Sequence, residues 1–483
     1  MAGRPKEYFN TISETLKRVE VTPTTNATDD ERRVPLFNQV SDVMSDRCAT
    51  NKLVEDLIEE SKGESVNRFK CGMHPLDALA KACDKTLKSE EDHLLGKSAQ
   101  TGAQPFLHGN ESHTQALVRA TSKLFHNTKY NCRAELSANL RTRNCIPPED
   151  ALKSVLFHRF VGNRFHVYFL NCALLYHYSA PMTDFFTDIH TPTNVVQSCV
   201  RNSLQMEGMR VTLRAMGIIG KLVTGPWMRM LSTCSTVLDL NEHSLEARNR
   251  IREWSDDSSS MLCSASSRSV FTVAPVKEDV VFESLVASNS TDTATAELLK
   301  LLCASCVEVL DRQLSSQLPG GQYWNPSSEL LCAAASCPPT NICGERSFAM
   351  SDIEMLRAPN ANVGYIEGKV MFRKNRPDKW LERLSAEEKE ARMNIGMKDA
   401  GRIVADDKAR SQSLAEKISW KLMETTKAKL EKEDKKRARY ENWLEDVFEN
   451  GGLWLDGATT DSNLAKLSKT KGLRVLKAKL VQE

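Results

Sequence analysis

Four short segments carry side chains whose types and spacing suit chemistry. The first is Ser45-Asp46-Arg47-Cys48-Ala49-Thr50-Asn51. An Asp at a strand end, followed by a small-residue helix start, is how metal-dependent nucleases present a carboxylate. The same Asp also suits the start of an ordinary helix over 47–60, accepting its first backbone N–H groups. The second segment is Cys71-Gly72-Met73-His74. Its CxxH spacing supplies two of the four ligands that a structural zinc ion takes, and no second pair completes the set. The third is Gly162-Asn163-Arg164-Phe165, a cation beside an aromatic ring. Such a pair serves phosphate contact and base stacking, or equally a strand-edge Arg with a core Phe. The fourth is Pro338-Pro339-Thr340-Asn341-Ile342-Cys343-Gly344-Glu345-Arg346-Ser347-Phe348. Here a Pro-rich turn precedes Glu345, either a metal ligand or a first-turn carboxylate favoured by the helix dipole.

The elements that must position these residues follow from periodicity. Apolar residues at helical spacing predict helices over 7–20, 51–60 and 73–88, through most of 195–250, and over 297–314. Residues 36–44 read as a strand running into a turn at Ser45-Asp46. Residues 165–169 suit a buried strand, in a run too short to separate strand from helix. The polar stretches 88–113, 255–269 and 288–295 read as loops. The only CxxC, Cys303-Ala-Ser-Cys306, lies in a leucine-rich helical pattern and reads as core filling. Trp227 is expected to pack between helices, and His158, His166 and His177 to sit in the apolar interior with their own partners.

Residues 379–440 hold 17 Lys/Arg against 12 Asp/Glu with few large apolar residues. A helix that is polar nearly all round projects into solvent or meets a partner. Leu414, Ile418 and Leu422 are spaced four apart, but no sustained heptad follows, so a long coiled coil is not expected. Gly451-Gly452 should end this helix. The run Glu433–Arg439 reads as a solvated face or as a nuclear import signal.

Composition bounds the rest. The chain has 483 residues, 41% hydrophobic and 27% charged, with 65 Lys/Arg against 63 Asp/Glu and a formal net charge of +2. This excludes wholesale disorder and binding of nucleic acid by bulk charge alone, so any basic surface must be local. Fourteen scattered Cys do not make a small secreted disulfide scaffold. The N-terminus lacks a secretory pattern, and no apolar run approaches the roughly 20 residues of a membrane span. The expected location is nuclear or cytoplasmic, with no membrane partner.

Taken in order, an Asp, a CxxH some 25 residues on, an Arg–aromatic pair, a long helical stretch and a GERSF-type block resemble the hAT superfamily of DNA transposases. The resemblance covers roughly residues 38–380. Residues 318–326 (LPGGQYWNP) and 452–454 (GLW) likewise resemble segments of transposon-derived animal proteins. The resemblance implies a mostly α fold with a small α/β part: an incomplete ribonuclease-H-like core interrupted by an all-helical insertion, then a long charged helix. It divides the chain into 1–180 and 317–378 (the two parts of the core, the second with the assembly region), 181–316 (the insertion), 379–449 (the charged helix) and 450–483 (a basic tail).

The resemblance also assigns roles. Asp46 and Glu345 match the second and third members of the family's Asp–Asp–Glu triad. Cys71 and His74 match its CxxH beside the DNA end. Arg164 and Phe165 match its Arg–Trp pair, with Phe in place of Trp, and Arg346 opens the assembly region and contacts DNA. The family's first Asp has no counterpart: Asp29-Asp30 lies in a polar loop and Asp42 is too close to Asp46. Two metal ions held by paired carboxylates clamp the attacking and leaving oxygens in such enzymes. With two carboxylates left, a Mg²⁺ site at Asp46 and Glu345 is expected to be weak or empty, and no other cofactor is expected. The expected function is therefore a catalytically inactive, DNA-binding, self-associating protein. One alternative is a helical scaffold that binds a protein partner through 379–449. Another is an active Mg²⁺-dependent transposase or nuclease, which needs a further acidic residue.

Overall fold

A computed structural model of the chain describes residues 5–21, 36–96, 111–126, 132–142, 157–160, 165–263, 269–449, 461–462 and 465. Two strands, β1 (Asp42–Ser45) and β2 (Asn67–Lys70), pair in parallel, Asp42 opposite Asn67 and Ser45 opposite Lys70. They are joined by helix α2 (Ala49–Lys62), because a parallel pair needs a crossover rather than a tight turn. Gly63, at φ 71°, ends α2 in the left-handed conformation that glycine adopts freely. Helix α1 (Pro5–Val21) precedes the unit. Phe37, Val54, Ile58 and Val66 form a small core under it, with Phe9 and Leu16 packed on the outside.

The expected strand over 36–44 is only partly formed. A 3-10 turn occupies Leu36–Gln39, and the strand is confined to the four residues that β2 can pair with. Helix α3 (His74–Leu95) follows β2 and overruns the expected boundary at 88. Its buried residues Leu76, Leu79, Ala80, Cys83, Leu87, Glu91 and Leu95 keep the helical spacing to its end. The polar composition of 88–93 concealed this, because one of the repeating positions is a buried carboxylate.

Helices α4 (His113–His126), α5 (Arg133–Thr142) and α6 (Val167–His177) come next. The strand expected at 165–169 is instead the entry and first turn of α6. Tyr168, Phe169, Asn171, Cys172, Ala173, Leu175 and Tyr176 are all buried. A helix apolar on every side has no periodicity to reveal it. Then follow α7 (Ser179–Asp184), α8 (Val195–Leu204), α9 (Glu207–Ile219), α10 (Gly225–Thr233), α11 (Leu240–Asp256), α12 (Val280–Val286), α13 (Asp292–Gln313) and α14 (Ser328–Ala333).

One large core runs through these helices. Helix α6 packs on α9, and α13 packs on α3, α9 and α11. Cys303 and Cys306 are buried in α13, as core filling requires, and Cys306 Sγ lies 3.6 Å from Cys83 Sγ on α3. Arg214 on α9 is wholly buried, its guanidinium donating to Leu285 O, Ala287 O and Asp292 Oδ1 at 2.7, 2.9 and 2.6 Å.

The chain divides into two compact units, residues 1–345 and 346–483. Helix α15 (Ile342–Arg357) begins in the first. The second contains the rest of α15, α16 (Val363–Asn375), α17 (Pro377–Leu381) and α18 (Ala386–Glu449). Within it the buried Glu354 side chain pairs with Lys369 and Arg373 at 2.9 and 2.5 Å. Helix α18 is 64 residues long, and its described side chains are nearly all exposed, as expected of the charged segment. Gly451-Gly452 and the basic tail from 466 onward lie outside the described residues. The fold is mostly α with a small α/β part, and no helix among the described residues is long and apolar enough to cross a membrane.

Candidate functional site

Asp46 follows directly from β1, and Cys71 from β2, so both stand at the carboxyl ends of the parallel strands. Ligands of open α/β sheets bind at that end. His74 opens α3 with Pro75 at the next position, where a missing N–H costs the helix nothing. Asp46, Arg47, Cys71 and His74 line one cleft with Ser45, Lys70 and the chain around Gln313–Gln317. The cleft is tight: its floor leaves no space for a water-sized sphere.

Two further segments reach it from far along the chain. Asn341 donates its backbone N–H to Cys71 Sγ at 3.4 Å, and its Oδ1 accepts from that thiol at 3.0 Å. Gly72 N donates to Pro339 O at 2.9 Å. Phe165 presents its ring edge-to-face to His74 at 6.0 Å, and its N–H is held by Asp77. Phe165 has φ 52°, a left-handed conformation that is strained for an aromatic residue. The Asp77 bond and the ring contact hold it there. Trp227, expected between helices, is buried and donates Nε1–H to Gly72 O at 3.0 Å, locking the loop after β2 from the other side.

Electrostatics tie the groups together. Burial raises the Asp46 carboxyl, but the Cys48 N–H, His74 and Asn51 outweigh it and leave it below the ordinary value. Burial likewise opposes ionisation of the Cys71 thiol, yet His74 and the surrounding N–H groups bring it below its usual range. His74 is raised by Cys71, against its burial, with Asp46 and Asp77 adding to the rise. His74 Nδ1 is buried and meets no hydrogen-bond partner among the described residues. Beside this group, Lys70 Nζ reaches Glu55 Oε1 and Oε2 at 2.7 and 3.0 Å and Ser45 Oγ at 3.1 Å.

Asp46 and Glu345 are each engaged locally. Asp46 Oδ1 accepts from Cys48 N at 3.2 Å and from the Asn51 side chain; the N-cap of α2 is Cys48, two residues on, so Asp46 makes a local turn ahead of the helix rather than the expected cap. Glu345 lies in the first turn of α15, its N–H bonded to Asn341 O at 3.2 Å, and is not among the residues lining the cleft. Among the described residues no three His, Cys, Asp or Glu converge as a metal would require. Arg346 is exposed and belongs to the second unit. Arg164 lies outside the described residues.

Of the segments singled out in the sequence, the structure therefore gathers Asp46, Cys71, His74 and Phe165, together with the turn that leads to Glu345. Sequence reasoning missed Asn341, although it lies in the quoted segment 338–348. Its side chain gives no signal of a thiol partner 270 positions away. It also missed the Ser45–Glu55–Lys70 cluster, whose members look like surface residues in the sequence. His166 and His177 have the partners expected of them, Thr224 Oγ1 and Ser284 Oγ, each at 3.0 Å, whereas His158 is exposed and not in the apolar interior as expected. No protein-family model, curated protein or solved structure matches this chain.

Proposed function

We propose that the chain is a transposase-derived, hAT-like protein that binds DNA at the cleft of Asp46, Cys71 and His74, without cleaving it on its own. The β1–α2–β2 unit would be the surviving part of a ribonuclease-H-like core. One observation carries the reading. Asp46, the CxxH, Phe165 and the turn before Glu345, spread over 300 positions, meet around one pair of parallel strands, and these are the segments that the resemblance pairs with DNA. The engagement of Asp46 with Cys48 and Asn51 speaks against strand cleavage. The exposed Arg47 at the rim is a group suited to phosphate.

The test is fluorescence anisotropy with a duplex and a hairpin DNA at about 50 and about 200 mM salt, where phosphate contacts make affinity fall steeply. Binding should weaken about tenfold or more across that range, and His74→Ala and Arg47→Ala should each weaken it further. Absent or salt-independent binding overturns the proposal. Self-association would use the second unit, which exposes Phe348, Leu356, Met371 and Phe372.

A second reading draws on α18. At 1.5 Å per residue it extends about 96 Å, and it exposes Met397, Val404, Trp420 and Met423. A helical scaffold would use that length to hold a protein partner. A monomer by light scattering that recovers no partner in pull-down counts against it.

A further inference from the structure

Residues 217–230, GIIGKLVTGPWMR plus Met230, carry glycines at 217, 220 and 225. The first two let helices approach. A Cβ on Gly217 would lie 2.9 Å from Ala173 Cα, and one on Gly220 would lie 3.0 Å from Phe169 Cβ. Between Gly220 and Thr224 the chain widens into a π-helical turn before continuing as α10. Such turns are rare and occur mostly at functional sites. Beside this one is a cavity of about 160 Å³, ringed by His166, Lys221, Arg229, Lys277 and Asp279. That is room for several waters.

The ring is cationic. Lys221, Arg229 and Lys277 face a single carboxylate, and His166 adds no charge. Asp279 is already committed: it accepts from Lys221 Nζ at 2.6 and 2.7 Å and from Phe282 N at 2.9 Å. Arg229 uses one Nη2–H on Pro275 O at 2.7 Å, and its other guanidinium donors have no partner among the described residues. Lys277 has no hydrogen bond or ion pair among the described residues. His166 Nδ1 meets Thr224 Oγ1, and its other nitrogen is unpartnered among the described residues. Burial first, then His158, Lys221 and Arg229, push its pKa down to about 4, so it enters as a neutral group. Leu170 and Ala173 supply an apolar wall, which strengthens charge-assisted hydrogen bonds formed there.

We propose that this cavity binds a phosphate group, free or as a terminal phosphomonoester, held by the guanidinium of Arg229 and the ammonium of Lys277 with Lys221 behind them. A doubly charged tetrahedral oxyanion matches the surplus of two positive charges and the fork of free Arg229 donors. The site is separate from the Asp46 cleft and does not rest on the DNA reading.

The experiment is calorimetric titration of the full chain with inorganic phosphate, with adenosine and adenosine monophosphate, and with one oligonucleotide with and without a 5′-phosphate. Saturable binding of inorganic phosphate is expected, with adenosine inert. Arg229→Gln and Lys277→Gln replace exposed side chains and should leave the circular dichroism unchanged. Each should weaken phosphate binding about tenfold, the loss of one charge-assisted hydrogen bond, and the double variant should abolish it. Equal affinity for phosphate and the monophosphate assigns the site to the free anion or any monoester. A preference for the 5′-phosphorylated oligonucleotide assigns it to nucleic-acid ends. No saturable phosphate binding, or phosphate binding unchanged in the folded double variant, overturns the proposal.

Discussion

Glu91 lies in the last turns of α3 with 1% of its surface exposed, and its carboxylate caps the start of α4. Oε1 accepts from Thr114 N and Thr114 Oγ1 at 2.9 and 2.6 Å, and Oε2 accepts from His113 N at 2.5 Å. Burial raises its pKa more than these bonds lower it, and Asp84 adds to the rise, so it is pushed from 4.5 up to about 7. A group that holds its proton more tightly in the folded state stabilises the fold below its unfolded pKa. That contribution is lost as pH rises towards the folded value. Between about pH 5 and about pH 8 the two values give a loss of about 2.5 kcal/mol. Glu91→Gln removes the titration while keeping one acceptor for Thr114. Urea unfolding of the wild type and the variant at both pH values isolates the effect, because the other titrating groups cancel in the difference. The wild type should lose about 2.5 kcal/mol relative to Glu91→Gln on going to the higher pH. A difference between the two proteins that stays constant with pH refutes the reasoning.

Two substitutions test the packing around the sites. Arg214→Met removes a fully buried cation that binds Leu285 O, Ala287 O and Asp292, leaving these groups unpaired. It should cost about 3–5 kcal/mol in denaturant unfolding, and a loss below about 1 kcal/mol contradicts the role assigned to it. Gly72→Ala places a Cβ 2.6 Å from Leu240 Cδ1 and 3.0 Å from Pro339 O. Since the Pro339 contact is backbone, the strain should cost about 1–3 kcal/mol, read as a lowered melting temperature. An unchanged melting temperature would show that the loop after β2 has room to spare.

About half of the helices were legible, most of them because their apolar residues repeat at helical spacing, as Leu76, Leu79, Ala80, Cys83 and Leu87 do along α3. The crossover between β1 and β2 was anticipated only in part, since four-residue strands leave almost no alternation to read. The entry to α6 suits a strand as well as a helix because that helix is buried on all sides, and the end of α3 reads as a loop because Glu91 looks like a surface residue. Within the candidate site, Asp46, Cys71, His74 and Phe165 were each visible as residue types in suggestive local settings. Glu345 was read as either a ligand or a first-turn carboxylate, and its place in the opening turn of α15 agrees with the second role.

By itself the amino-acid order determined the amphipathic helices, the charged and solvated character of residues 379–440, and which side chains have reactive chemistry. These are local properties, set by the repeat of apolar groups and by the identity of each residue. Only the tertiary structure decided that Asn341 meets Cys71, that Trp227 closes on Gly72, and that Arg229 and Lys277 share a cavity with His166. Such contacts join positions tens to hundreds of residues apart. Their energy comes from burying and pairing groups in a shared interior, which leaves no periodic trace along the chain.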